Sequence, residues 1–206
     1  MKYSLYFVTP DCDDGHYLAH LCAEAAKGGA DVIQLRYKKN DVRQFLALAL
    51  KIKEVCAHYQ IPFIINDRID VALACNADGV HLGQSDMPIE IARNILGENK
   101  IIGLSIEEES QIFDSQNQYA DYLAISPVFA TDSKKDIKTP LGLKGLKRAV
   151  ENSNKPVIAI GGINQNNIQS IMQQGSAGVA IISAISAADD ICQAAQNLKQ
   201  EVKKWQ

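Results

Sequence analysis

Short runs of apolar and β-branched residues recur along the chain at intervals of roughly two to three dozen residues. Each is followed by a stretch whose apolar positions fall three and four apart. The runs lie at 5–8, 32–36, 63–66, 79–82, 101–105, 122–126, 157–160 and 179–182, which predicts eight strands. Between them, segments such as 42–58 and 89–96 carry the helical period, as helices lying against a sheet do. The strands are apolar throughout rather than alternating, which suits a parallel sheet covered by helices. Repeated βα units of this kind predict an α/β fold closed into a (β/α)8 TIM barrel. A doubly wound open sheet has the same periodicity and stays as the alternative.

Composition narrows the picture. With 206 residues, 47% of them hydrophobic, the chain can bury one substantial core, near the lower end of what an eight-fold barrel needs. No linker or low-complexity tract divides it, so residues 1–206 are expected to form a single domain. The net charge of −3 and pI near 5.8 supply no overall positive field for nucleic acid or an anionic membrane. Any anion must be held by local groups. The apolar opening breaks at Pro10 and runs into Asp11, Asp13 and Asp14, unlike a signal peptide, and no apolar run is long enough to span a bilayer. The five cysteines, Cys12, Cys22, Cys56, Cys75 and Cys192, contain no Cys-x-x-Cys pair, so neither a disulfide framework nor a zinc site is indicated. A reduced cytoplasmic protein is expected; homo-oligomerisation is left open.

In such a barrel reactive side chains gather at the carboxyl ends of the strands. There the sequence places Gln34-Leu35-Arg36-Tyr37-Lys38, Asn66-Asp67-Arg68, Gly83-Gln84-Ser85-Asp86, Ser105, Thr131-Asp132-Ser133-Lys134, Gly161-Gly162 and Ile182-Ser183. If strand two continues far enough, Gln34, Arg36 and Lys38 point to one side. Buried there, Arg36 and Lys38 need an anionic partner: a polyphosphate, or Asp67 and Asp86 in a structural ion network. Asp67 and Asp86 follow adjacent strands and could converge on a hard cation such as Mg2+; each could instead be a helix cap. For Asp86, Pro88 at the first helical position would make Met87 the cap and free the carboxylate. The Gly161-Gly162 pair and Ile182-Ser183 stand where many barrels bind phosphate, although a glycine pair also makes an ordinary turn. His81 reads as a hydrogen-bonded core histidine. The connection 127–141 is far longer than the roughly 2–6 residues usual between strand and helix. Its charge and hydroxyls fit a lid, or else a surface insertion.

Six segments taken in order, Gln34-Leu35-Arg36-Tyr37-Lys38, Ile65-Asn66-Asp67-Arg68, Gly79-Val80-His81-Leu82-Gly83-Gln84-Ser85-Asp86, Ile102-Gly103-Leu104-Ser105, Pro127-Val128-Phe129-Ala130-Thr131-Asp132-Ser133-Lys134 and Ala159-Ile160-Gly161-Gly162-Ile163, together resemble the thiamine-phosphate synthase family. The resemblance runs from Tyr6 to about Ile185. It implies that Gln34, Leu35, Arg36, Tyr37, Lys38, Asn66, Ser105 and Lys134 bind an aminopyrimidine diphosphate, and that Asp67 and Asp86 hold one Mg2+ per subunit. Thr131, Asp132, Ser133, Gly162, Ile182 and Ser183 would bind a thiazole phosphate. The implied reaction is a dissociative substitution at the pyrimidine methylene carbon: pyrophosphate leaves, the thiazole nitrogen attacks, and thiamine phosphate forms. Catalytic assignments then fall on Arg36, Lys38, Ser105 and Lys134, and the attacking nitrogen carries no proton to remove. Two other readings remain: a thiazole tautomerase on the same barrel, which needs no diphosphate site, and a non-catalytic barrel that binds a phosphorylated ligand.

Overall fold

A computed structural model describes residues 3–131 and 139–206. Eight parallel strands pair in sequence order and close, β8 against β1. They are β1 (Leu5–Val8), β2 (Val32–Leu35), β3 (Phe63–Asn66), β4 (Gly79–Leu82), β5 (Ile101–Ile106), β6 (Tyr122–Ile125), β7 (Val157–Ile160) and β8 (Gly178–Ile181). The helices are α1 (Gly15–Lys27), α2 (Val42–Tyr59), α3 (Ile69–Ala74), α4 (Ile89–Leu96), α5 (Gly142–Asn152), α6 (Ile168–Met172), α7 (Ser183–Ser186) and α8 (Ile191–Lys203). Two 3-10 turns, Glu109–Phe113 and Ser115–Tyr119, join β5 to β6. This is the single (β/α)8 barrel expected, and closure removes the open-sheet alternative.

The strands lack sequence alternation because both of their faces are buried. Leu5, Phe7, Ile33, Leu35 and Ile65 turn outward under the helices. Their neighbours Tyr6, Val8, Val32, Ile64, Ala124, Ile158 and Ala180 turn inward and pack on one another. Helices start where side chains satisfy their first amides: Asp14 accepts from His16 and Tyr17, Asp41 from Gln44, and Asp190 from Gln193.

Strand ends differ from the sequence expectation for local reasons. Strand β2 closes at Leu35, not at residue 36, because the Arg36 N–H donates to the Thr9 hydroxyl at 3.0 Å instead of to a strand carbonyl. Strand β8 starts at Gly178, where a Cβ would lie 1.8 Å from the Tyr3 carbonyl oxygen. It ends before Ile182, whose backbone (φ −110°, ψ −83°) has left the extended region.

The floor of the barrel carries a device that the strand pattern does not reveal. Three of the four even-numbered strands are preceded by Ala-Asp: Ala30-Asp31, Ala77-Asp78 and Ala120-Asp121. Each carboxylate accepts an N–H at the start of the preceding odd-numbered strand: Asp31 from Leu5 at 2.9 Å, Asp78 from Phe63 at 2.7 Å and Asp121 from Ile102, the second residue of β5, at 2.7 Å. Two also neutralise a buried cation, Asp31 with Lys199 and Asp121 with Arg93. Arg93 is 7% exposed and spends its other donors on the Gly97, Lys100 and Tyr119 carbonyls.

Removing Asp121 therefore strips a buried guanidinium of its counter-charge and orphans an amide. Asp121→Ala should lower the free energy of unfolding by roughly 1–3 kcal/mol, since the carboxylate is partly solvated while the Ile102 amide is orphaned, and Asp121→Asn, which keeps an acceptor for Ile102, by less. Urea denaturation of both variants checks this; an unchanged midpoint for Asp121→Ala would show that the staple is dispensable.

Candidate active site

The inward faces of β2 to β5 end in polar residues, one per strand: Gln34, Asn66, His81 and Ser105, all buried. Across the barrel, β7 and β8 present Ile160 and Ala180. The polar side is bonded into one chain that includes two tyrosines. Asn66 Oδ1 accepts from Gln34 Nε2 at 2.7 Å, and Gln34 Oε1 accepts from Tyr6 Oη at 2.8 Å. Tyr6 Oη lies 2.9 Å from Tyr122 Oη, which lies 2.9 Å from His81 Nδ1; His81 Nε2 lies 2.9 Å from Ser105 Oγ. Burial raises the pKa of both phenols far above the ordinary tyrosine value, so both stay protonated. Gly103 makes the crossing possible, because a Cβ there would lie 2.3 Å from Tyr122 Oη and 2.5 Å from His81 Nδ1. His81 is the hydrogen-bonded core histidine expected, and Tyr6, Tyr122 and Gly103 are the members that sequence reasoning missed.

Above this layer lie charges. Arg36 is 9% exposed, and its Nε is buried without a hydrogen-bond partner among the described residues. Lys38 is exposed and bonds Asp67 at 2.6 Å, so of the two cations only Lys38 joins an ion pair with the acidic residues. Since β2 stops at Leu35, strand alternation does not carry as far as Lys38. Leu35 packs in the outer core, and Tyr37 turns toward the helices, donating to Asp13 at 2.8 Å and packing on Phe45. Only the backbone of these two residues is left to face the mouth.

Asp67 is not a helix cap. The residue at that position for α3 is Arg68, which makes no capping hydrogen bond. Asp67 instead adopts a left-handed backbone (φ +63°), a region that Asp tolerates better than most residues. Its N–H donates to the His81 carbonyl at 2.9 Å. Asp86 is also free of capping duty, but Pro88, not Met87, stands at the start of α4. The proline sits one residue earlier relative to the helix than expected, so its missing N–H falls before the first helical turn. Asp86 Oδ2 accepts the Gly83 N–H at 2.7 Å, and Asp67 stands close enough to act on its pKa. Burial first, then the neighbouring Asp67 carboxylate, raise the Asp86 pKa from 3.8 to about 6.

A third zone lies at β6 to β8. Gly161 and Gly162 have φ of +100° and +63°, and a Cβ at Gly162 would lie 2.5 Å from the Ala130 carbonyl oxygen. The pair therefore lets the segment after β6 lie directly on β7, with Val128 and Phe129 donating to the Ile160 and Gly161 carbonyls at 2.9 and 3.2 Å. Leu141 donates to the Pro127 carbonyl at 3.0 Å, so the two ends of the long connection are tied together. Ile182 and Ser183 stand at the start of α7. Thr131 is described; Asp132, Ser133 and Lys134 lie outside the described residues, as do Lys135 and Lys138.

The family described as thiamine monophosphate synthase matches residues 5–185. A thiamine-phosphate synthase of Clostridium novyi is 46% identical over 199 residues, covering 96% of this chain and 98% of the relative. One from Vibrio parahaemolyticus is 46% identical over 196 residues, 95% and 96% of the two chains. Among solved structures, a thiamine phosphate pyrophosphorylase from Pyrococcus furiosus superposes with a TM-score of 0.87 at 36% identity, covering 98% of this chain and 96% of that one.

The Asp86 shift has a sign that can be checked on the metal-free protein. A carboxyl whose folded pKa lies above its unfolded value contributes stability that is complete below about pH 4 and lost as pH rises through about 6. Asp86→Asn, which mimics the protonated side chain, should therefore be more stable than wild type at pH 7.5, with the gap closing toward pH 4.5. Thermal melts in chelator across that range test it; a gap independent of pH would contradict the raised value.

Proposed function

The chain belongs to the thiamine monophosphate synthase family, and we propose how its own residues divide the work of that reaction. It is an enzyme of thiamine biosynthesis: 4-amino-2-methyl-5-(diphosphooxymethyl)pyrimidine and a (carboxy)thiazole phosphate give thiamine phosphate and pyrophosphate. The observation that carries the division of labour is a double imbalance at one barrel mouth. Arg36 Nε is buried without a hydrogen-bond partner among the described residues, and Asp67 stands close enough to Asp86 to help raise its pKa. A diphosphate with a divalent cation corrects both at once.

Two close carboxylates, with oxygen donors only, suit a hard cation completed by phosphate oxygens and water. Held by Asp67 and Asp86, Mg2+ would offset the charge that develops on the leaving pyrophosphate. Arg36 and Lys38 take the same role from the protein side, since their attraction grows as the bond to the methylene carbon breaks. Lys38 exchanges its pairing with Asp67 for one with phosphate. Gln34, Asn66 and Ser105 hold the pyrimidine ring against the polar wall. Gly162, Ile182 and Ser183 take the thiazole phosphate on backbone and hydroxyl donors, with Thr131, Asp132 and Ser133 closing on it. Lys134 is assigned to the leaving group from the connection 127–141, which acts as a lid and shields the cationic pyrimidine from water. A cytoplasmic setting, without nucleic acid or membrane, belongs to the same proposal and is supported by the acidic balance of 24 Asp and Glu against 21 Lys and Arg. Among the described residues no helix is long and apolar enough to cross a membrane.

The test is pyrophosphate release that requires both precursors and Mg2+. Asp67→Ala should lower kcat by roughly 10²-fold or more while the protein stays folded; undiminished, metal-dependent turnover would remove Asp67 from the site. Because the cation must displace the Asp86 proton, the Mg2+ concentration giving half-maximal rate should rise as pH falls through about 6. That rise should be absent in Asp86→Asn.

Ser183→Ala should raise KM for the thiazole phosphate and leave that for the diphosphate nearly unchanged, because the two subsites occupy opposite sides of the mouth. Steady-state kinetics with each substrate varied in turn decides this; a change confined to the diphosphate would refute the assignment of β7 and β8.

A further inference from the structure

We propose that Tyr6, Tyr122 and His81 are positioning residues that set the hydrogen-bonding polarity of the pyrimidine pocket, fixing Ser105 as an acceptor and the Asn66 amide nitrogen as a donor toward the substrate ring. The proposal rests on the reading that Ser105 and Asn66 bind that ring.

The argument is a count of protons. A phenol has one to give, and Tyr6 gives its proton to Gln34 Oε1 at 2.8 Å. In the 2.9 Å contact between the two tyrosines Tyr6 must then accept, so Tyr122 is the donor. With its own proton spent, Tyr122 must accept from His81, and Nδ1 therefore carries the hydrogen. In a neutral imidazole the other nitrogen is an acceptor, so Ser105 Oγ–H donates to His81 Nε2. At the far end, Asn66 Oδ1 is engaged by Gln34 Nε2 at 2.7 Å. Every bond in the chain runs one way, from Ser105 to Asn66.

Both ends of the chain thereby acquire a sign. Ser105 has spent its proton inward and can offer only lone pairs to a ligand, while Asn66 has its oxygen turned to Gln34 Nε2 and so presents its N–H donors on the other side. A ring edge that presents a donor beside an acceptor is matched, as an exocyclic amino group next to a ring nitrogen does. The 4-oxo counterpart, with a carbonyl beside a ring N–H, presents the opposite pattern and leaves buried groups unpaired. A site built on hydrogen bonds rejects such a mismatch strongly. The burial of all six side chains keeps water from supplying the missing partners. Gly103 keeps the relay compact, since any side chain there would occupy the space of the Tyr122 hydroxyl and His81 Nδ1.

The experiment has two arms. Nitrogen-15 NMR of histidine-labelled, unliganded wild-type protein, with His81 assigned by its loss in His81→Asn, should show a neutral ring protonated at Nδ1 at pH 7.5. An Nε2-protonated ring would reverse the chain and overturn the proposal. Steady-state kinetics with the 4-amino pyrimidine diphosphate and its 4-oxo analogue are then compared in wild type, Tyr122→Phe and Tyr6→Phe. Either phenylalanine keeps the ring packing and cuts the relay. Each is expected to raise KM for the amino substrate, with a smaller change in kcat, and to reduce the amino-over-oxo preference by roughly tenfold, the worth of about one hydrogen bond. Wild-type KM and preference in both variants would overturn the proposal. Should wild type itself release no pyrophosphate from the amino substrate, the functional reading beneath the proposal fails, and the His81 tautomer still decides the polarity of the chain.

Discussion

A polar side chain turned into a closed barrel must find its partner inside the barrel, because no water reaches it and an unmade bond costs about 1–3 kcal/mol. The chain from Ser105 through His81, Tyr122, Tyr6 and Gln34 to Asn66 meets that requirement with side chains from six strands. It dictates residues that otherwise look unrelated. Position 103 has to be glycine because two partners cross over it. Two tyrosines, among the largest fully buried side chains, stand in the middle of the barrel because a relay between β2 and β4 needs a hydroxyl on the way. The polar wall occupies the same side of the mouth as Arg36, Lys38, Asp67 and Asp86, so the inner layer forms the base on which the charged groups stand.

The two ends of the barrel solve the problem of carboxylates differently. At the floor, Asp31, Asp78 and Asp121 accept strand amides, and two of them pair with buried cations. Those carboxylates are satisfied within the fold. At the mouth, Asp67 and Asp86 are set against each other, and among the described residues the exposed Lys38 pairs with Asp67. Residues of one type, following or preceding strands of one sheet, are thus stabilising at one end and frustrated at the other. The frustration is where a ligand has something to supply.

How much of this the sequence discloses depends on the range of the interaction. Strands read well because double-sided burial writes itself as continuous apolar runs, and four of the eight agree residue for residue: β1, β3, β4 and β7. The end of β2 does not, since Arg36 is as buried as a strand residue while its N–H is taken by Thr9, just past β1. The candidate site was legible as a set of motifs at strand ends, yet its connections were not. Tyr6 and Tyr122 read as core aromatics because the hydrogen bonds that give them a role cross the barrel, between residues far apart in sequence. The Ala-Asp pairs look like turns, and only the strand order shows that each carboxylate serves the neighbouring strand. Met87 was expected at the α4 start on the preference of proline for the first helical position; the chain instead turns one residue later. A recurring Ala-Asp before alternate strands, and a glycine inside an otherwise apolar β5, were the available signals for the floor staples and the relay.

The mouth is unbalanced in both signs, and this bears on why stability and activity pull apart there. Neutralising Arg36 with a nearby carboxylate would satisfy a buried guanidinium, and replacing Asp86 by an amide would relieve a carboxylate pair; each change would favour the unliganded fold. On the proposed reading, both would also weaken binding of a ligand that is itself anion and cation together. On that reading, a metal-bound diphosphate would place negative oxygens near the unpartnered Arg36 Nε and positive charge where Asp67 and Asp86 have negative charge in excess. Its binding energy would then be drawn partly from the electrostatic imbalance at the mouth, and the part that grows as the bond to pyrophosphate breaks would lower the barrier rather than merely tighten the complex. The hydrogen-bonded layer beneath, by contrast, is bonded through from Ser105 to Asn66, so a ring bound there as proposed would meet donors and acceptors that need no rearrangement. On that proposal an electrostatically unfinished rim above a finished polar layer would let the charged half of the substrate supply the driving force and the aromatic half be selected by fixed geometry.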